Sequence, residues 1–527
     1  MKMTQIQILD CTLRDGGYIN DFAFGQRGIS GIIAQLTNAG IDIIETGFLE
    51  NGDYNPECSV YNTVEQIANF LPTDHKRSMY VAMACYGEYN LDQLTPYNGK
   101  SIDGIRVTFH YNEIEDALIY CKEIQDRGYK VFVQPVGTTS YTDEQLISLI
   151  HLVNKLHPYA FYLVDTLGLM HKDDVFRFFY LINHNLANNI HMGFHSHNNL
   201  QLSYSNCQAL ASVESDRIIS LDSSVYGMGR GAGNLNTELI ASYLNEHYAS
   251  SYEIEPLLEV VDEYIAKIKE KYEWGYSVPY YLAAINGCHP NYASYLSGKN
   301  TLNVKSIGII LRMIELEKRS LFDKNLAERK YIEFQSHEIN DSATINALKD
   351  DFDGKNILLL APGASLNENI AKILSCAKEN GCTIVGVTFV PNFIECNYIF
   401  LSNLKRYKTT FNPTHKKINL IHTSNIEVDE KDKIMVNYSS LLNEDDTIRD
   451  NSSLMFLNML AKFSPAKIYI AGMDGYGITN SDYYQDRLVI KHDMEQAIAL
   501  NAAISKRIEQ LKNQLNIEFI TPTLYVK

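Results

Sequence analysis

Short apolar runs alternate with amphipathic segments from Ile6 to about Ser224. The runs are Ile6–Asp10, Ile41–Gly47, Ser78–Ala84, Gly104–Phe109, Lys130–Pro135, Ala160–Asp165, Ile190–His195 and Ile218–Ser223. Between them apolar residues recur at helical spacing, as in Ile29, Ile32, Ile33 and Leu36, or Leu146, Ile147, Leu149, Ile150 and Val153. Strands that are apolar throughout and alternate with helices imply a parallel sheet covered on both faces. Eight such units predict an N-terminal TIM (β/α)8 barrel over residues 1–250. An open doubly wound sheet is the alternative that periodicity leaves standing.

Downstream the pattern changes twice. Residues 251–335 read as an all-helical extension, and the charged, mixed stretch 336–354 reads as a linker. A second alternation of strands and helices fills 355–527. Its strands are expected at the apolar run from Asn356, at Thr383–Val387, Tyr398–Leu401, Ile418–Ile421 and Lys467–Ala471, with a long helix over Met494–Leu515. This predicts a smaller open α/β domain of Rossmann-like type.

The barrel runs end in polar residues that a packed core does not select. Arg14 and Asp15 follow the first run, Glu45 closes the second, and His110 follows the fourth. Gln134, Asp165, and the pair His195 and His197 end the fifth, sixth and seventh. After the eighth comes the glycine-rich stretch Gly227–Asn234. In a parallel barrel all of these converge on the carboxyl-terminal mouth, where catalytic groups are assembled.

Composition narrows the choices. Among 527 residues 45% are hydrophobic and 21% charged, the profile of a globular protein with ample core. With 46 basic against 63 acidic residues the net charge is -17, which argues against nucleic acid as a partner. The nine cysteines contain no Cys-x-x-Cys pair, so neither a disulfide framework nor a structural zinc site is expected. No run is long enough to span a membrane. A reducing cytoplasm is the expected compartment, and a homo-oligomer the expected assembly.

His195 and His197 are two residues apart, so on a strand both rings point to one side and can grip one metal ion. Asp15 supplies a carboxylate and Asn234 a neutral oxygen. Mixed N/O ligation without thiolate suits Mn²⁺ or Mg²⁺ better than Zn²⁺. A metal with open positions binds a 2-oxo acid and polarises its carbonyl, and Arg14 places a fixed cation beside the developing oxyanion. The expected chemistry is aldol or Claisen type. Glu45, Gln134 and Asp165 are substrate-contact candidates, with a supporting hydrogen-bonding role as the alternative for Glu45 and Asp165.

Three motifs then carry a family resemblance: Asp10-x-Thr12-Leu13-Arg14-Asp15-Gly16, His195-x-His197-Asn198, and Gly227-x-Gly229-x-Gly231-x-Gly233-Asn234. Over roughly residues 5–300 the chain resembles the DRE-TIM metallolyase superfamily, most closely its 4-hydroxy-2-oxovalerate aldolase branch. 3-Hydroxy-3-methylglutaryl-CoA lyase and the isopropylmalate-type synthases are its relatives. The resemblance implies Asp15, His195 and His197 as metal ligands with Asn234 nearby, and Arg14 as the enolate-stabilising cation. It also implies that Tyr292, in His289-Pro290-x-Tyr292-Ala293, approaches the mouth. Two positions depart from the family. Tyr18 stands where the aldolases carry an acid/base histidine, which leaves Tyr18, His110 or a bound water as the acid/base candidate. Arg230 and Gly231 lie where the lyase has a catalytic cysteine. The implied function is a divalent-metal-dependent aldolase acting on a 4-hydroxy-2-oxo acid through a pyruvate enolate. The alternatives are an acyl-CoA/2-oxo acid acyltransferase and a non-catalytic binding protein.

In the C-terminal domain Pro362-Gly363-Ala364-Ser365 forms a glycine-containing turn after a strand, and Gly472-x-Asp474-Gly475-Tyr476 follows another. Gly363, Ser365 and Asp474 are the candidates for a nucleotide or sugar-phosphate ligand, with phosphate at the helix N-terminus. A purely structural role is the alternative.

Overall fold

The computed structural model describes residues 4–410, 419–428, 433–477, 483–485 and 494–526. The chain forms two compact units. One is Met1–Ser294 with Ile314–Asp323, the other Tyr295–Met313 with Lys324–Lys527.

The first unit contains β1 (Ile6–Asp10), β2 (Ile43–Leu49), β3 (Val60–Tyr61), β4 (Met79–Cys85), β5 (Gly104–Phe109), β6 (Lys130–Pro135), β7 (Ala160–Asp165), β8 (His191–Ser196) and β9 (Ile219–Ser223). All pairings are parallel, in the order β1-β9-β8-β7-β6-β5-β4-β2, with β3 added to β2. Leu9 pairs with Ile43 and Asp10 with Ile44, which joins β1 back to β2 and closes the sheet into an eight-stranded barrel. That closure excludes the open-sheet alternative. Each of the eight apolar runs is a barrel strand, displaced by at most two residues.

The helices follow from local chemistry and one-sided burial. Thr142 accepts from the Gln145 N–H at 3.2 Å, while Gln145 reaches back to the Thr142 N–H at 2.8 Å. This reciprocal cap starts the helix Asp143–Leu156. Its Leu146, Leu149, Ile150 and Val153 are buried against the sheet. Each such side chain contributes about 1.5–3 kcal/mol by leaving water. Inside the barrel Leu9, Ile43, Val81, Phe132, Tyr162 and Val164 form a separate apolar plug. Gly193 makes room for it, since a Cβ there would lie 2.1 Å from the Tyr162 ring.

In the second unit β10 (Asn356–Leu360), β11 (Thr383–Val387), β12 (Tyr398–Leu401), β13 (Asn419–Thr423), β14 (Lys433–Val436), β15 (Lys467–Ala471) and β16 (Ile517–Phe519) form one parallel sheet. Its order is β14-β13-β12-β11-β10-β15-β16. The strand expected at Ile418–Ile421 is β13, and Ile418 itself lies outside the described residues. The order of strand addition reverses at β10, with β11 to β14 on one side and β15 and β16 on the other, the place where open parallel α/β sheets form a crevice.

Two segments differ from expectation. The helical stretch 251–335 is divided between the units rather than packed as one extension. Residues 336–354 carry helices Ser342–Ala347 and Lys349–Phe352, and Leu348 and Phe352 are buried in the second unit's core, so this stretch is part of a domain and not a free connector. All nine cysteines are free thiols. Among the described residues no helix is long and apolar enough to cross a membrane.

Candidate functional site

The first unit's site starts where β1 ends. Asp15 leads into a short 3-10 turn, Gly16–Ile19, and its carboxylate is almost fully buried beside the two histidines from β8 and the residue just past it. One ligand atom each from Asp15, His195 and His197 lies within 4.8 Å of the others. The two imidazole planes stand at 89° with centroids 5.0 Å apart. Asn234 joins them from the glycine-rich loop, bridging to His197 and donating its Nδ2 to Asp15 Oδ2 at 2.8 Å. Gly229 permits this approach, because a Cβ there would meet Asn234 Nδ2 at 2.4 Å and Asp15 at 2.9 Å.

The protonation states suit a cation. Burial alone would raise the Asp15 carboxyl, but Arg14 and the two imidazoles outweigh it and hold Asp15 below the usual carboxylate range. Burial pushes His197 down to about 3, so its ring is neutral. His195 Nδ1 lies 2.9 Å from Asp222 Oδ2. A carboxylate can only accept, so Nδ1 carries the proton and Nε2 keeps a lone pair for the site. The Asn234 Oδ1 is buried without a partner among the described residues. One carboxylate, the neutral His197 ring, the Nε2 edge of His195 and one spare amide oxygen fit a divalent metal. Residues sized and protonated for ligation are what such an ion requires.

Arg14 is held by a chain of buried charges. Its Nη1 contacts Asp15 at 2.7 Å and its Nε donates to Glu45 Oε2 at 2.8 Å. The same Glu45 oxygen lies 2.8 Å from Arg106 Nη1, and Arg106 Nη2 pairs with Asp222. Burial opposes the Arg14 charge, but Glu45 and Asp15 outweigh that cost and raise its pKa. Arg14 Nη2 is buried and has no acceptor among the described residues. It is a buried spare donor on the same guanidinium that holds Asp15.

The other expected residues divide. Tyr18 sits at the mouth, packed edge-on against Phe22 and Phe48, with the Arg230 guanidinium 3.7 Å above its ring. Burial pushes its phenol up to about 12, despite Arg230 and Arg14, so at neutral pH it donates a proton and does not accept one. Gln134 is buried on β6 with Oε1 unpartnered among the described residues. Glu45 is a support for both arginines. Asp165 accepts the Leu169 and Met170 N–H groups at 2.9 and 3.0 Å, so its own turn consumes it.

Two expectations are corrected. Tyr292 is fully buried, and its one hydroxyl proton is shared between the Lys318 and Leu321 carbonyls, so it is not offered to a substrate, although its segment does approach the glycine-rich loop, with Pro290 3.3 Å from the Cβ position of Gly231. His110 is exposed at the start of a 3-10 turn, and its ring contacts none of the site residues. Sequence reasoning missed Arg106, Asp222 and Asn199. Asn199 ties the glycine-rich loop down, accepting from Ala232 N at 3.0 Å and donating to Leu167 O at 3.0 Å. The available signal for Arg106 and Asp222 was a charge inside an otherwise apolar run.

In the second unit Gly363, Ser365 and Asp474 do meet at the sheet's crevice. Asp474 accepts the Ser365 N–H at 2.7 Å and pairs with its hydroxyl at 2.5 Å. The carboxylate therefore occupies the N–H that a phosphate would take. Asn451, Ser453, Tyr476, Tyr483 and Tyr525 line the same crevice.

Comparison with known proteins addresses the first unit. Residues 5–262 match the HMGL-like family profile. The chain is 27% identical over 247 residues to a 4-hydroxy-2-oxovalerate aldolase of Thermomicrobium roseum, covering 46% of this chain and 68% of that one. It is 25% identical over 238 residues to an oxaloacetate decarboxylase of Mycobacterium tuberculosis, covering 45% and 69%. A solved N-terminal domain of a Bacteroides vulgatus aldolase candidate aligns with 26% identity, a TM-score of 0.47, and coverage of 55% of this chain and 96% of that one.

Proposed function

Residues 5–262 belong to the HMGL-like family of DRE-TIM metallolyases, and from that premise we propose that the barrel is a divalent-metal-dependent lyase that cleaves a 4-hydroxy-2-oxo acid to pyruvate and an aldehyde. The observation that carries the reading is the buried, unpartnered Arg14 Nη2 beside the Asp15, His195 and His197 cluster. Asp15, His195 and His197 would hold the metal, Mn²⁺ or Mg²⁺ by their N/O chemistry, with Asn234 as a further oxygen. Such an ion supplies a Lewis acid that polarises the 2-oxo group.

The chain's own residues do the rest. In cleavage the C4 hydroxyl gives its proton to a water molecule and becomes the aldehyde carbonyl, the C3–C4 bond breaks and its electron pair forms the C2–C3 double bond, and the C2 carbonyl pair moves onto the C2 oxygen. Arg14 Nη2 donates to that oxygen as its charge grows. Tyr18, a neutral phenol, donates a hydrogen bond or a proton at the mouth. Carbon 3 takes a proton to give pyruvate.

A second reading is favoured by the absence of a ready base among the described residues at this mouth. Tyr18 is protonated, His110 is exposed at the start of its turn, and His289 Nδ1 accepts the Asn291 N–H at 3.1 Å, which leaves its other nitrogen a donor. Loss of CO₂ from a 2-oxo dicarboxylate produces the same enolate and needs no side-chain base. Pyruvate release from 4-hydroxy-2-oxopentanoate, 4-hydroxy-2-oxoglutarate and oxaloacetate, with Mn²⁺ or with chelator, separates the two by co-product, aldehyde or CO₂. No metal-dependent pyruvate from any of them would sink both and favour the acyl-CoA reading. For the second unit, Asp474 at the crevice favours a ligand that presents hydroxyls, such as the ribose or sugar part of a nucleotide sugar, over a phosphate at Ser365. A shift of the full chain's second unfolding step by nucleoside or sugar, weakened in Asp474→Ala, is the expected result.

A further inference from the structure

The mouth of the barrel holds one guanidinium that, among the described residues, has neither an ion pair nor a hydrogen-bond acceptor of its own. Arg14 is taken by Asp15 and Glu45, and Arg106 by Glu45 and Asp222. Asp165 is taken by backbone N–H groups of its own turn. Arg230, half-buried in the glycine-rich loop, has its guanidinium carbon over the Tyr18 ring, 3.7 Å from the ring centroid. Among the described residues no carboxylate pairs with it and no acceptor takes its N–H groups. A guanidinium stacked by its face keeps its in-plane N–H edge available, and that edge matches an oxyanion in a two-pronged contact. Its charge reaches Asp15, Tyr18, His197 and His289, so it stands beside the cluster and not out on the rim. The loop fixes its place. Asn199 holds Ala232, Asn198 N donates to Gly233 O at 2.8 Å, and Gly275 N donates to Gly231 O at 3.3 Å.

We propose that Arg230 anchors a second anionic group on the substrate, at the end away from the 2-oxo acid. This rests on the lyase reading for the position of that 2-oxo acid. The shared chemistry is a terminal oxyanion, carboxylate or phosphoryl, so the substrate is a 2-oxo acid with an acidic tail and not one ending in an alkyl group. Arg230 is a specificity determinant and Arg14 the group that meets the reacting oxygen.

Binding tests this without turnover, because the protein's one tryptophan lies against the same loop. Trp274 Nε1 donates to Tyr226 O at 3.2 Å, and a Cβ on Gly233 would sit 3.4 Å from the indole. The full chain with Mn²⁺ is titrated, by Trp274 fluorescence, with 2-oxopentanoate, 2-oxoglutarate and 2-oxo-4-phosphonobutanoate, none of which can undergo aldol cleavage. The acidic-tailed acids are expected to bind about 10- to 100-fold more tightly than 2-oxopentanoate, the range of a charge-assisted contact. The tighter of the two acidic tails identifies the terminal group. Arg230→Gln is expected to bring that ratio to within about threefold, and Arg230→Lys to restore part of it. Equal binding of the three by the wild-type protein, including failure to bind any, overturns the proposal, as does a preference that survives Arg230→Gln. Metal-dependent pyruvate release is scored separately. Its absence alongside Arg230-dependent binding removes the lyase reading and keeps the anchor, and its presence without tail preference does the reverse.

Discussion

Arg106 is fully buried in the barrel between Glu45 and Asp222, with its guanidinium 4.7 Å from the centroid of the Tyr162 ring. Arg106→Met keeps much of the volume and removes the charge. It leaves Asp222 to His195 alone and returns Glu45 to Arg14 alone. Breaking a buried pair by deleting one partner costs about 3–5 kcal/mol, because the remaining charge stays desolvated. The lost stacking on Tyr162 adds up to about 1 kcal/mol. Taking about 4 kcal/mol and about 2–4 °C per kcal/mol for a unit of this size, the barrel's Tm is expected to fall by about 8–16 °C. Trp274 is buried in the barrel unit and is the only tryptophan, so its fluorescence reports that unit's melting. Adding Asp222→Asn removes one of the stranded charges, and the double variant is expected to recover about half of the loss. A shift in Arg106→Met below about 3 °C, equivalent to roughly 1 kcal/mol, would refute the argument that this arginine neutralises two buried carboxylates.

Arg14→Ala is expected to lower kcat for pyruvate release by about 10²- to 10³-fold, as for a lost oxyanion donor. Mn²⁺ affinity, measured calorimetrically, should stay within a few-fold, and a parallel collapse of metal binding would count against the assigned role. Asp222→Asn is expected to weaken Mn²⁺ binding by about 10- to 100-fold, because the carboxylate fixes the His195 tautomer; an unchanged isotherm contradicts this. Asp10, buried and hydrogen-bonded to Thr12 and Thr237, is pushed by burial up to about 6. Its folded value lies above its unfolded value, so stability is full below about 4 and is lost as pH rises through 6. The loss is about 3 kcal/mol. Asp10→Asn should remove that slope in urea unfolding followed from pH 4 to 7, and profiles parallel to wild type would refute the assignment.

The barrel is legible in the sequence because its strands are covered on both faces, so each reads as an unbroken apolar run. The second sheet is legible for the same reason in β10, β11, β12, β13 and β15. The two strands missing from the sequence reading, β14 and β16, are that sheet's edges. They are short, and Lys433, Met435 and Glu518 are exposed, so they carry little apolar signal. Tyr292 was misassigned as a substrate contact because its neighbours resemble a mouth-facing segment, whereas its hydroxyl is fixed by carbonyls 26 and 29 residues away. His110 follows a barrel strand, yet Glu113 accepts its backbone N–H and turns the chain outward. Only three-dimensional pairing shows what Arg106 does, since its partners come from β2 and β9.

The charged chain Arg14–Glu45–Arg106–Asp222–His195 explains how one barrel holds both a cation and a candidate metal-ligand histidine in place. Its signs alternate, and Glu45 and Asp222 each face two positive or proton-donating neighbours, so moving any member disturbs the next. Beneath it the apolar plug of Leu9, Ile43, Val81, Phe132 and Tyr162 fills the barrel and keeps water from relaxing the charges. The glycine-rich loop works from the opposite side. Asn234 reaches Asp15 at one end of the loop, and Arg230 stands over Tyr18 near its middle. On the proposed lyase reading, the core sets where the reacting oxygen sits, through Arg14 and His195, and the loop sets what the rest of the substrate can be. Change in the first is then expected to abolish pyruvate formation, and change in Arg230 to redirect it among 2-oxo acids.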